Sequence, residues 1–399
     1  MKPANPYTFG IEEEFFLVDP LSRDLAADVP REFMRACRRR LGERVHEEMK
    51  RAQVETATPV LQHAAQARTA LAESRATVGE IATSLDMRLL AAGTHPFAGW
   101  REQAGTDAPR YERLLDDFQI VGRRNLVCGL HVHVAVPASV DRVELMNRLM
   151  PWTPLLLALS TSSPFWGGRA TGLMSYRQAA YDEWPRSGIP DAFEDEERYA
   201  QFVDLLASCG SLDNGSFLWW AIRPSAKFPT LELRITDACT RIEDSLALAA
   251  VFRCLVRAHA RDPALGLERS SLTRRLIDEN RWRAKRFGVR AEFIDEARRS
   301  AVPLAESLRE LLELVGPDAI ALDCQAELRQ LTLMSRLGTS ADVQLAVYRR
   351  ERESAASREQ ALHAVVDWLA EATLGESRLP STSEQRPREL QSRSGAAKA

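Results

Sequence analysis

The chain has 399 residues, of which 45% are hydrophobic, so it can bury a sizeable core as one large domain or two ordinary ones. Its 53 basic and 56 acidic residues nearly cancel, which excludes a net field that would attract nucleic acid or an anionic membrane. Small molecules are therefore the expected ligands.

The N-terminal segment and the cysteines indicate a cytoplasmic protein. Residues 1–8 lack the basic region and apolar core of a signal peptide, and no window approaches the ~20 apolar residues of a membrane span. The six cysteines are scattered without CxxC spacing. This spacing favours reduced, mostly buried thiols over a zinc cluster or a disulfide framework.

Hydrophobic periodicity predicts strands among helices up to about residue 240 and only helices beyond it. The first strand is FGIEEEFFLVD at 9–19, where three adjacent carboxylates interrupt an apolar run. The further predicted elements are helices at 31–41, 62–87, 110–121, 154–159, 195–206 and after the capping residue Asp141, strands at 52–59, 88–93, 128–137 and 230–237, and a long structured loop at 165–191.

The domain organisation follows from the same pattern. We expect one α+β domain over 1–375, with a sheet-bearing part over about 1–240 and a helical part over about 241–375. Residues 376–399 are rich in Ser, Pro, Arg and Glu, which predicts a disordered tail.

Four of the strands place chemically active side chains on one face. Successive strand residues point to opposite faces, so one parity is apolar and packs against helices, as in an antiparallel sheet with one covered face. A solvated face would mix Lys, Thr, Ser and Arg, whereas clustered carboxylates repel one another unless a cation lies between them. The other parity carries Glu12 and Glu14, Gln53 and Glu55, His131 and His133, and Glu232 and Arg234.

The type of cation follows from the donor atoms. Oxygen-rich sites suit Mg²⁺ or Mn²⁺, which also take phosphate oxygens. The pair His131 and His133 also fits a zinc hydrolase, so both interpretations stay open on chemistry alone. No Gly-rich phosphate loop follows a strand, and phosphates would therefore be held by metal ions and arginines.

Four motifs in order resemble the type 2 glutamate–cysteine ligase family, also called the YbdK-like carboxylate–amine ligases. The resemblance covers about residue 6 to beyond residue 257. The motifs are FGIEEEF at 9–15, CGLHVH at 128–133, SPFWGG at 163–168 with TG at 171–172 and SYR at 175–177, and IRP at 222–224 leading into PTLELR at 229–234.

The resemblance implies a glutamine synthetase-like fold, in which a curved, mainly antiparallel sheet has helices outside and a funnel for ATP and Mg²⁺ inside. It implies metal-binding roles for Glu12, Glu14, Glu55 and Glu232, with Mn²⁺ as a second candidate ion. His131 would lie near the nucleotide phosphates and Arg234 would stabilise the transferred phosphoryl group. Cofactor binding would also involve His133, Arg177 and Arg223, the arginines as clamps for phosphate or carboxylate or as ordinary ion-pair residues.

The implied activity is ATP-dependent amide formation through an acyl phosphate. The substrates would be glutamate or a related acid and cysteine or another amine, and the amphipathic C-terminal helices allow a homodimer. The alternatives are a zinc hydrolase using His131 and His133 and a non-catalytic relative that binds a nucleotide or amino acid. Glu13, on the apolar parity of its strand, is expected to be a bystander.

Overall fold

A computed structural model describes residues 6–267, 270 and 272–376. The strands are β1 (Phe9–Val18), β2 (Val45–Glu47), β3 (Gln53–Ala57), β4 (Arg88–Leu90), β5 (Leu130–Ala135), β6 (Phe165–Trp166), β7 (Arg169–Ala170), β8 (Ser187–Gly188), β9 (Trp219–Trp220), β10 (Ile222–Pro224), β11 (Thr230–Leu233), β12 (Glu292–Asp295) and β13 (Ser300–Pro303).

Most of the helices lie where the hydrophobic periodicity predicts them. They are α1 (Arg31–Leu41), α2 (Ala64–Ser84), α3 (Pro109–Arg123), α4 (Arg142–Leu149), α5 (Thr153–Ser160), α6 (Tyr176–Tyr181), α7 (Glu196–Ser208), α8 (Ile242–Arg261), α9 (Thr273–Phe287), α10 (Leu304–Ala321), α11 (Gln325–Leu337), α12 (Ser340–Glu353) and α13 (Arg358–Thr373).

The main sheet is antiparallel and has β1 at its centre. Its order is β10-β11-β5-β1-β3-β2, and β4 pairs with the C-terminal half of β1 beyond the end of β5. The register places Glu12 opposite His131, Glu14 opposite Glu55, and Glu232 opposite His133. Because directly opposed residues in antiparallel strands project to the same face, these six side chains share one side of the sheet.

The other side of the sheet is covered by helices. Ile11, Leu130 and Val132 belong to a buried cluster with residues of α8, and Phe15 and Leu17 pack with residues of α1 and α2. The alternation of apolar and polar side chains therefore separates a packed face from a polar face, which confirms the predicted α+β fold with helices on the outer face.

Glu13 lies on the packed face, where it forms a buried ion pair with Arg75 of α2. Arg75 Nε and Nη2 donate to the two carboxylate oxygens over 3.0 and 2.6 Å, and Ser245 Oγ donates over 2.6 Å. The remaining guanidinium hydrogens bond the carbonyl oxygens of Cys239, Thr240 and Thr373. The pair thus joins β1 to α2, α8 and the end of α13, while Glu13 takes no part in the polar face.

Two predictions about secondary structure are wrong. Residues 165–191, predicted as a loop, contain the β6–β7 hairpin, α6 and β8. Residues 241–375, predicted as helical throughout, contain the β12–β13 hairpin, which Asn280 of α9 fixes by bonding the backbone N–H and C=O of Ile294. Both errors come from short elements that tertiary contacts hold in place.

Other expectations concern the cysteines, membrane spans and the tail. The six cysteines are unpaired thiols, all buried except Cys209, as expected. No helix in the described part of the chain is long and apolar enough to cross a membrane. The predicted tail over 376–399 lies, apart from its first residue, outside the described residues.

The Glu13→Gln substitution should lower the free energy of unfolding by about 3–5 kcal/mol, because it leaves the buried Arg75 charge without a counter-charge. Urea denaturation followed by circular dichroism measures the change. As a matched control, Glu80→Gln removes the exposed partner of Arg40 and should shift the midpoint little. Equal midpoints for wild type and Glu13→Gln would contradict the role of this pair.

Candidate active site

A cleft of about 610 Å³ opens on the polar face of the sheet. Nine of the residues that the sequence singled out come from five different strands, from the residue after β11 and from α6, yet the fold brings these nine to this one space. They are Glu12, Glu14, Glu55, His131, His133, Arg177, Arg223, Glu232 and Arg234. The strand register causes this convergence, because it places the polar residues of neighbouring strands on the same face of the sheet. Gln53, predicted on the same face, is instead buried outside the cleft lining, where its Nε2 donates to the carbonyl oxygen of Val127 over 2.9 Å.

The imidazoles lie between the carboxylates of neighbouring strands. His131 Nδ1 is 3.4 Å from one oxygen of Glu12, and His133 Nε2 is 3.4 Å from the other oxygen. His133 Nε2 is also 3.9 Å from Glu232, while its Nδ1 bonds Thr230 Oγ1 at 3.1 Å. Burial by itself would raise the pKa of Glu12, but hydrogen bonds and charge from the two histidines lower it well below its usual value. Glu12 is therefore a carboxylate at neutral pH.

Three sets of side chains bring ligand atoms within 4.8 Å of one another. Two sets combine one imidazole with two carboxylates, and one set consists of carboxylates alone. Glu12 and Glu55 each belong to two sets, so they could bridge neighbouring ions. The sets are Glu12, Glu55 and His131; Glu12, His133 and Glu232; and Glu14, Glu48 and Glu55.

The electrostatics of the third set fit a bound cation. Burial and the nearby Glu14 charge raise the pKa of Glu48 to about 8, and burial together with Glu12, Glu48 and Glu14 raises the pKa of Glu55 well above its usual value. A divalent ion would offset this repulsion. His131 Nε2 is also buried without a hydrogen-bond partner among the described residues, as expected of a nitrogen free to bind a ligand. These oxygen-rich sets suit Mg²⁺ or Mn²⁺.

Glu232 is held by two arginines. Arg223 Nε and Nη2 donate to it over 2.9 and 3.1 Å, and Arg234 Nη1 bonds one of the same oxygens. Burial would raise the pKa of Glu232, but the two guanidinium charges lower it well below its usual value. Arg223 also donates to the carbonyl oxygens of Ser216 and Leu218, so few of its hydrogens remain for a ligand.

Arg177 differs from these two arginines because its guanidinium has few partners. The side chain is 2% exposed, its Nε has no hydrogen-bond partner in the described structure, and Nη1 reaches the Arg234 carbonyl only at 3.4 Å. Its guanidinium lies in the space beside β5 that Gly129 leaves open. A Cβ there would lie 2.3 Å from Arg177 Nη2 and 2.9 Å from His131 Nε2. The cleft therefore contains a buried cation with free donors.

The buried carboxylate of Asp237 holds the segment that carries Arg177. It accepts hydrogen bonds from Ser162 N, Ser163 Oγ and Ser175 Oγ over 2.7 to 3.0 Å. Ser175 caps α6, and Ser163 Oγ accepts from the backbone N–H of Arg177. Asp237 thus fixes the start of α6 relative to the end of β11.

Sequence reasoning missed Glu48, Tyr181 and Asp237. Tyr181 lines the cleft, and its hydroxyl accepts from Arg234 Nη2 at 3.3 Å. Glu48 follows the short strand β2, which pairs with β3 so that His46 lies opposite Glu55. The acidic composition of β2 was the signal that could have indicated Glu48. However, only three residues of β2 pair with β3, and a short charged segment of this kind resembles a loop.

Comparison with known proteins agrees with this architecture. Residues 8–365 match the model of glutamate-cysteine ligase family 2. A relative from Ectopseudomonas mendocina is 48% identical over 366 residues, covering 92% of this chain and 97% of the relative. One from Rhodospirillum rubrum is 43% identical over 372 residues, covering 92% and 96%. Both relatives are named, provisionally, glutamate–cysteine ligase 2.

Solved structures with low sequence identity share the fold. Glutamate–cysteine ligase from Francisella tularensis in complex with AMP gives a TM-score of 0.66 at 12% identity, covering 95% of this chain and 91% of that one. A bifunctional glutathione synthetase from Pasteurella multocida gives 0.67 at 14% identity and covers 92% of this chain. The chain spans about half, 52%, of the length of that bifunctional enzyme.

The fold and the site together define a carboxylate–amine ligase with a glutamine synthetase-like fold, and the zinc hydrolase alternative is not favoured. Within that class, the chain belongs to glutamate-cysteine ligase family 2, which confirms the resemblance that the four motifs predicted. The roles of the individual site residues stay predictions.

Without divalent ions and at neutral pH, Glu55→Gln should stabilise the protein by on the order of 1–2 kcal/mol, because it removes a buried acid whose raised pKa disfavours the folded state once the unfolded chain is ionised. The same substitution should weaken Mn²⁺ binding by roughly tenfold or more, since it removes a shared ligand. Thermal unfolding in EDTA and in a Mn²⁺ titration measures both effects.

The control for this experiment is Glu47→Gln, which changes a carboxylate that lines the cleft, pairs with Arg38 and belongs to none of the three ligand sets. It should leave Mn²⁺ binding unchanged. A Glu55→Gln protein that binds Mn²⁺ as tightly as wild type would refute the shared ligand role of Glu55.

Proposed function

We propose that the protein is a glutamate–cysteine ligase-type enzyme that uses ATP and Mg²⁺. It would join the γ-carboxylate of glutamate, or of a related acid, to the amine of cysteine or of another amino compound. The observation that carries the proposal is the convergence of six carboxylates, three imidazoles and partly unpaired arginines in one cleft. Five of these carboxylates and two of the imidazoles belong to sets that could hold a metal ion. The family match and the relatives' names support the same chemistry.

The carboxylates would hold the metal ions. Glu14, Glu48 and Glu55 form one site, and Glu12 and Glu232 form another with an imidazole. Bound Mg²⁺ would neutralise the β- and γ-phosphates of ATP and align them for in-line transfer. Mn²⁺ could take its place, since it accepts the same oxygen ligands.

The first step activates the acid. An oxygen of the substrate carboxylate attacks the γ-phosphorus, the bond to the β-phosphate oxygen breaks, and ADP leaves with that electron pair. Arg234 would stabilise the charge that develops on the transferred group; its buried Nε, which has no partner in the described structure, supports this role. The ion pair with Glu232 and the bond to Tyr181 fix the direction of its guanidinium.

The second step forms the amide. The neutral amine attacks the carbonyl carbon of the acyl phosphate, the carbon–oxygen bond to phosphate breaks, and the nitrogen loses a proton to water. Arg177 would bind an anionic group of the acid substrate, because it lines the cleft and is buried with free donors. Arg223 would instead position Glu232, with which it shares two hydrogen bonds.

Three further expectations belong with this proposal. The catalytic unit would be the whole of 1–375, because the sheet that carries the site is covered by helices from both the sheet-bearing and the helical part. A homodimer formed through the C-terminal helices and a cytoplasmic location also stay predictions.

The proposal predicts that phosphate release from ATP requires an acid and an amine together. With Mg²⁺, glutamate and cysteine, one phosphate should appear for each amide formed, as measured by a coupled phosphate assay and by mass spectrometry of the product. Related acids and other amines form the comparison panel. No phosphate release across this panel would overturn the ligase proposal.

Glu14→Gln and Glu232→Gln should each reduce turnover by more than about 100-fold, because each removes a carboxylate that would bind a metal ion, and the metal ions would in turn bind the phosphates of ATP. Circular dichroism and thermal unfolding test whether the fold is retained. Glu47→Gln changes a carboxylate of the same cleft that belongs to none of the ligand sets, and it should keep nearly full activity. Full activity in Glu14→Gln or Glu232→Gln would contradict the metal site.

A further inference from the structure

The part of the cleft formed by β10, β11 and the loop between them, the β10–β11 end, carries more positive than negative side chains. Three cations lie there, Arg223, Lys227 and Arg234, together with the two carboxylates Glu12 and Glu232. A polyphosphate is therefore attracted to this end.

An exposed aromatic side chain lies at the β10–β11 end. Phe228, in the loop between these strands, is 48% exposed and lines the cleft. Its ring is perpendicular to that of His133, with 6.2 Å between the centroids. His133 belongs to the ligand set with Glu12 and Glu232 that would hold metal-bound phosphates. The ring is thus beside the place where a nucleotide's phosphates would be bound.

The loop that carries Phe228 is fixed although the ring is exposed. Ser225 Oγ accepts from the backbone N–H groups of Lys227 and Phe228 at 3.3 Å. Arg142 Nη1 donates to the carbonyl oxygens of Ser225 and Phe228 at 3.3 and 3.1 Å, and Arg142 is itself paired with Glu196. An apolar ring held in water by a rigid loop loses little entropy when a flat ligand covers it.

We propose that Phe228 is the surface on which the purine base of ATP stacks, with the phosphates directed past His133 toward Glu232 and Arg234. This inference rests on the proposed ligase function, since it assumes that ATP is the nucleotide. Lys227 Nζ lies over one face of the Phe228 ring, 5.1 Å from its centre, so the base would stack on the opposite face. Every base has a π-face, so stacking contributes affinity without hydrogen bonds to the base edges.

The test compares two ligands that share phosphates and metal but differ in the base. Binding of Mg·ATP and of Mg·tripolyphosphate is measured by calorimetry, without acid or amine, for wild type, Phe228→Ala and Phe228→Trp. Phe228→Ala should weaken Mg·ATP binding by roughly tenfold or more and leave Mg·tripolyphosphate binding unchanged. Phe228→Trp should restore Mg·ATP binding because it keeps an aromatic face.

A matched control exists on another surface. Phe287 is 43% exposed, has Arg286 at 5.0 Å from its ring centre, and is not part of the cleft. Phe287→Ala should therefore leave both affinities unchanged.

Each other outcome identifies which proposal fails. Unchanged Mg·ATP affinity in Phe228→Ala would overturn the stacking role and leave the ligase proposal intact. Equal losses for both ligands would also overturn it, because the ring would then be supporting the phosphate site. A wild-type protein that binds neither ligand would overturn the ligase proposal together with this inference.

Discussion

The structure depends on how β1 accommodates three adjacent carboxylates in the central strand of a sheet. Strand geometry sends Glu13 to one face and Glu12 and Glu14 to the other. On the packed face Arg75 meets Glu13 with two hydrogen bonds and a full counter-charge, so that charge is compensated within the fold. On the polar face Glu48 and Glu55 lie beside other carboxylates, whose charges raise their pKa, and a bound metal ion would offset this repulsion.

The polar face is organised by cross-strand pairing rather than by a single motif. His131 lies opposite Glu12 and His133 opposite Glu232, so each imidazole is fixed between acids from neighbouring strands. Asp237 and Gly129 then determine where Arg177 can lie, the first by holding the start of α6 and the second by leaving space beside β5. The strands position most of the charged groups, and the short helix α6 adds Arg177, a cation with few hydrogen-bond partners.

The sequence by itself determined the sheet and most of its polar face. A strand alternates with a period of two, so side chains of one parity must share a face, and this rule assigned Glu12, Glu14, Glu55, His131 and Glu232 together. The four motifs also indicated the family. Helix positions followed from their longer hydrophobic periodicity, which local sequence carries directly.

Only the tertiary structure decided which separate segments complete the site. Arg75 is 62 residues from Glu13, and nothing in either local sequence shows that they meet. Glu48 reaches the cleft because β2 pairs with β3, and Arg177 reaches it because Asp237 holds α6, which the sequence indicated only as a loop. Periodicity reports the face on which a residue lies, whereas long-range packing determines which faces meet.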